Sequence, residues 1–129
     1  MYPYMWFCQP PGPAFSATVS WKGHSYPCHA LIDTGADQTY LPAPIARALR
    51  LIARNNNITM RGVGGSGGRG SLYVVNIALS HSNVTVFDLQ NIPVISDNSF
   101  SQVLLGRDII NDYEITLDGP NRRFSIVKP

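Results

Sequence analysis

The chain has 129 residues, 44% hydrophobic and 14% charged, with a formal net charge of +2. That length fits one domain with a small core, and charge this far below the roughly 25% of ordinary soluble domains points to a turn-rich β protein or to apolar surface covered by a partner. The Lys and Arg residues are scattered, which argues against nucleic-acid binding, and no apolar run is long enough to cross a membrane.

Residues 1–13 place Tyr2, Tyr4, Trp6 and Phe7 among Pro3, Pro10, Pro11 and Pro13. Prolines argue against a central strand, so this reads as an N-terminal arm, packed on a partner or partly disordered, ahead of a domain at 14–129. Phe15 to Trp21 alternates apolar and polar residues, the pattern of a half-buried strand. Lys22-Gly23-His24 turns the chain, and the return strand runs through Tyr26 and Cys28 into Ala30-Leu31-Ile32-Asp33. A strand that ends on an acid is unusual, because Asp is rarely buried without a partner. Thr34 offers a hydroxyl that can donate and accept, and Gly35 permits a tight turn.

Gln38 to Leu41 reads as a short strand and Pro42 to Arg50 as a short helix, with proline in its first turn. Asn55-Asn56-Asn57 is expected to break that helix. The stretch 62–70 contains six glycines and leads into strands at 72–79 and 84–89, with a turn at His81-Ser82-Asn83. It lacks the order of a phosphate-binding loop and reads instead as a mobile hairpin flap over a cleft. Ile92 to Ile95, then Val103-Leu104-Leu105, are further strand candidates. Asp108 is placed to cap a brief helix at Ile109–Tyr113, and a hairpin around Asp118-Gly119-Pro120-Asn121 closes the chain. Short strands at this spacing make the fold all-β, a small closed barrel or sandwich with one or two short helices.

Cys8 and Cys28 are too few for a metal site; two free thiols are the expectation, with a disulfide as the alternative. His24, His29 and His81 form no cluster. No metal and no cofactor is expected. No basic region followed by an apolar run opens the sequence, so no secretory leader is expected.

Ile32-Asp33-Thr34-Gly35-Ala36 resembles the active-site loop of the retropepsins, the retroviral-type aspartic proteases. Two further stretches match in the right order. Arg61-Gly62-Val63-Gly64-Gly65 resembles a lentiviral flap tip, and Leu104-Leu105-Gly106-Arg107-Asp108 resembles the second signature of the family. The resemblance covers roughly residues 14–118. It departs from the viral pattern in the Pro42-Ala43-Pro44 helix, in the extra Gly67 and Gly68, and in a C-terminal hairpin where viral enzymes usually end in one interface strand.

The resemblance implies an aspartic endopeptidase with Asp33, Thr34 and Gly35 as catalytic residues. Ile32, Ala36, Asp37, Arg61, Gly62, Val63, Gly64 and Leu104 would bind an extended polypeptide substrate. Gly106, Arg107 and Asp108 would support the site, with Arg107 paired to Asp37. Only one Asp-Thr-Gly is present, so one chain supplies half a site and a homodimer is expected. The implied setting is intracellular, or within a viral or retroelement particle, as a polyprotein-processing enzyme. A non-catalytic dimeric β domain that binds extended peptides is the competing reading.

Overall fold

The computed structural model describes every residue except Gln9, residues 62–66 and Phe100. Its elements run β1 (Tyr2–Pro3), β2 (Ala14–Trp21), β3 (His24–Ile32), β4 (Tyr40–Pro42), α1 (Ala43–Ala48), β5 (Asn55–Arg61), β6 (Gly67–His81), β7 (Val84–Asp97), β8 (Val103–Leu105), α2 (Arg107–Ile110), β9 (Glu114–Asp118) and β10 (Arg123–Val127). The fold is all-β, as the short strand-like segments predict.

The main sheet has the order β2-β3-β8-β4-β7-β6-β5, and β2 also pairs with β6. That extra pairing, from Ser16↔Ser80 to Ser20↔Asn76, closes six strands into a barrel and leaves β5 as a seventh strand outside the ring. Closure removes open edges from the ring. Alternation along β2 sends Phe15, Ala17 and Val19 into the interior, where they meet Ala30, Ile32, Val75, Ile77, Leu79, Val103 and Leu105. Phe15 and Val19 are wholly buried.

A second sheet, β1-β10-β9, contributes Phe124 and Ile126 to the same core. Tyr2 pairs with Phe124 and Pro3 with Arg123. The Tyr2 ring lies 5.5 Å from Phe15 and 5.6 Å from Phe124, so the arm packs on the domain's own C-terminal hairpin. Its aromatic content explains this: rings in this position gain more from the core than from water. Cys8 and Cys28 are free thiols. Burial pushes Cys28 up to about 11, and Cys8 is also raised by burial.

Three local expectations differ from the structure. Asn55-Asn56-Asn57 opens strand β5, because pairing with β6 overrides weak asparagine propensity. Residues 84–97 form one strand. The register shifts between Val75↔Ile92 and Ile77↔Leu89, a bulge in which Asn91 takes φ of 54° and its N–H donates to Asn76 Oδ1 at 2.9 Å. The last helix begins at Arg107, two residues before the expected start.

Candidate active site

The Asp33 loop is held by a strand that the sequence places more than seventy residues away. β3 and β8 run parallel, with Ala30 opposite Val103 and Ile32 opposite Leu105. The ladder continues one residue past the strand, where Asp33 N–H donates to the Leu105 carbonyl at 3.0 Å. The chain then turns: Ala36 N–H donates to the Asp33 carbonyl at 3.2 Å, and Gly35 N–H donates to Asp33 Oδ1 at 3.0 Å. This leaves the Asp33 side chain half-buried at the end of a rigid strand, with Thr34 and Gly35 exposed beside it.

The β8–α2 corner grips the same loop at several points. Arg107 N–H donates to the Ala36 carbonyl at 2.9 Å. The Arg107 guanidinium is split between two partners: Nη1 donates to the Thr34 carbonyl at 2.8 Å, and Nη2 pairs with Asp37 Oδ1. The pairing of Arg107 with Asp37 is therefore present, but it is not a two-pronged contact with the carboxylate. One prong holds the acid and the other holds the backbone between Asp33 and Gly35.

Gly106 passes against the backbone of Gln38. A Cβ there would lie 2.2 Å from the Gln38 carbonyl oxygen and 2.4 Å from its carbon. No side-chain rearrangement relieves that contact, so the position admits only glycine.

Asp108 behaves differently from its expected role. Gly106 is the N-cap of α2, and no side chain caps that helix. The Asp108 carboxylate instead accepts from Thr39, from its N–H at 3.2 Å and from its hydroxyl at 2.9 Å. Thr39 Oγ1 in turn accepts from Gly106 N–H at 3.2 Å. Thr39 has no solvent exposure. Sequence reasoning missed this residue. The one available signal was a hydroxyl two positions after Asp37, in a segment due to meet an Asp.

The remaining candidates divide between two clusters. Ile32 faces the barrel interior and packs in the main core. Ala36 joins Tyr40 and Ile95 in a second cluster, against which Ile58, Leu72 and Leu104 pack. Leu104 is opposite Tyr40 in the β4–β8 pairing. Arg61 ends β5 opposite Gly67. Gly62, Val63 and Gly64, the expected flap tip, lie outside the described residues.

Residues 17–112 match the family described as "gag-polyprotein putative aspartyl protease". Among solved structures, the EIAV protease complexed with the inhibitor HBY-793 is similar at 20% identity and a TM-score of 0.50, over 78% of this chain and 86% of that one. A retropepsin-like aspartic protease from Rickettsia conorii is similar at 14% identity and a TM-score of 0.53, over 88% of this chain and 81% of that one. At these identities the likenesses speak for the fold, which is the retropepsin fold. The matched segment spans the Asp33 loop, the glycine-rich stretch and the Gly106 corner, and on that match the chain belongs to the gag-polyprotein aspartyl protease family.

Proposed function

We propose that the protein is an aspartic endopeptidase, active as a homodimer, which cleaves extended polypeptides with a water activated by Asp33. The observation that carries this reading is the support of Asp33: strand, turn and Arg107 converge on a loop that presents one carboxylate beside exposed Thr34 and Gly35. Hydrolysis by carboxylates requires a base for the water and an acid for the scissile carbonyl. One chain supplies one Asp-Thr-Gly, so the second carboxylate comes from a two-fold related copy.

In the dimer one Asp33 carboxylate takes a proton from the water as its oxygen attacks the carbonyl carbon. The partner's Asp33, protonated, donates to the carbonyl oxygen. Two acids this close do not both ionise, so the pair holds one proton between them. Thr34 of each copy bonds across the axis beneath the pair. The Gly35 carbonyl and Asp37 receive the substrate backbone, which lies as an added strand between the loop and the flap at Arg61, Gly62, Val63 and Gly64. Leu104 and Ala36 face the substrate's side chains, and Ile32 backs the loop from the core. Gly106, Arg107 and Asp108 fix the loop.

Incubation with an unfolded polypeptide, with and without pepstatin, tests the reading. Cleavage that pepstatin blocks and that Asp33→Asn abolishes is the expected result. A chain that binds extended peptides but never cleaves them would leave the competing binding-domain reading in place.

A further inference from the structure

At the far end of the β2–β3 hairpin lies a cleft of about 280 Å³ lined by Trp21, Lys22, Arg50, Ile52, Arg54 and Val74. β3 spans nine residues between this end and the Asp33 loop, so the two are separated by roughly 25–30 Å at the rise of a strand. The cleft is distinct from the catalytic site.

Three features of its walls point to a ligand. Lys22, Arg50 and Arg54 surround it, and none of them has a salt bridge among the described residues. Ile52 is 88% exposed, the most exposed of the large apolar residues described, although its neighbours Leu49 and Leu51 pack into the core. Trp21 adds an indole to the same wall. Tryptophan and arginine are the residue types that dominate binding at protein interfaces, and here they flank an apolar side chain that only a partner would take out of water.

Below the cleft, β5 starts at Asn55, directly after Arg54. It is the terminal strand of its sheet, with one edge unpaired among the described residues. An open edge beside the cleft accepts a further strand.

We propose that this cleft docks an acidic, extended polypeptide segment carrying one bulky apolar side chain. The apolar side chain contacts Ile52 and Trp21, the flanking carboxylates meet the three cations, and the backbone runs along β5. Charge decides against a second copy of this chain as occupant: two such faces together would oppose Lys22, Arg50 and Arg54 with their own images.

The test uses the full chain carrying Asp33→Asn, so that binding is read without turnover. Three fluorescent peptides are titrated: a Glu-rich peptide with a central Leu, the same with Ala for Leu, and the same with Lys for Glu. The first should bind saturably, and Arg50→Glu with Arg54→Glu should weaken it at least about tenfold, which is about 1.4 kcal/mol. Raising the salt should weaken it too. Ile52→Ser, at a position too exposed to affect folding, should weaken the Leu peptide and leave the Ala peptide unchanged. In a Trp6→Phe background, Trp21 emission should shift on binding.

Equal binding of the Lys peptide, indifference to charge reversal, or concentration-dependent self-association through this face would overturn the proposal. In chains that keep Asp33, cleavage of a short neutral substrate should be unaffected by Arg50→Glu with Arg54→Glu. Failure of docking and failure of the protease reading therefore give different results.

Discussion

Thr39 makes four hydrogen bonds with no solvent exposure: two to Asp108, one from Gly106 N–H and one from Ile95 N–H to its carbonyl. Thr39→Val keeps the shape and removes the hydroxyl. It strands Gly106 N–H and one Asp108 oxygen, which should cost about 1–3 kcal/mol in urea unfolding; a loss below about 0.5 kcal/mol would show that the hydroxyl is dispensable. Arg107 differs, since its side chain is 43% exposed and that of Asp37 68% exposed. The pair contributes no more than about 1 kcal/mol to folding, and its importance lies in loop position. Arg107→Lys should leave the unfolding midpoint nearly unchanged yet lower activity, because an ammonium cannot hold Asp37 and the Thr34 carbonyl in one plane. An equal loss of stability and activity would contradict this. Cys28 gives a pH-dependent check. With its thiol pushed up to about 11 by burial against an ordinary 9.0, the stability it contributes is fully present below 9 and is lost as pH rises through about 11, since the unfolded chain ionises first. Alkylation at pH 8 should mark Cys8 well before Cys28; comparable rates would mean that Cys28 is not shielded.

At the level of elements, the β8–α2 corner and the Asp33 loop behave as one piece. Gly106→Ala forces a Cβ into the Gln38 backbone, so corner and loop must separate, at a cost of about 3 kcal/mol or more. A soluble, fully active Ala variant would refute the packing described here. The glycine-rich stretch 62–70 is proposed as a flap because β5, which ends at Arg61, and β6, which begins within the stretch at Gly67, pair antiparallel. Amide exchange in this stretch should slow when a peptidomimetic inhibitor binds; unchanged exchange would remove the flap assignment.

These elements also mark what the sequence made legible. β2, β3 and β8 were readable because their apolar periodicity reports a buried face directly. Gly106 was readable only through the resemblance of Leu104-Leu105-Gly106-Arg107-Asp108 to the second family signature, which implies a close approach to the Asp33 loop. Asp108 was misread, since a capping rule looks only at neighbours, whereas its partner Thr39 is 69 positions away. The Asn55 strand was missed for the same reason: pairing with β6 supplies what asparagine lacks. The contact of Tyr2 with Phe124 depended on the chain's two ends meeting, which no local pattern records.

For the whole molecule, the placement of both termini constrains how two copies can meet. β1 and β10 pair within one chain, and the sheet β1-β10-β9 has only its outer edges unpaired among the described residues. A dimer therefore does not need to exchange β1 or β10. Under the proposed function it would bring the exposed Thr34 and half-buried Asp33 of each copy together on the axis, using the loop and the surface beside it. Such an interface is made of preformed parts, so association should not be coupled to folding. Specific activity should then fall on dilution, as the protein passes below its dimer dissociation constant, while circular dichroism stays that of a folded domain and the unfolding midpoint falls only by the mass-action contribution of the dimer. Asp33→Asn should abolish cleavage, because an amide can neither take the water's proton nor share one, and should leave dimerisation intact or tighter, since it removes repulsion between two acids at close range. Sedimentation and activity measured across the same dilution series test both statements together. Full activity in a demonstrated monomer would sink the shared-site account, and loss of secondary structure in step with activity would show that the chain folds only as a dimer.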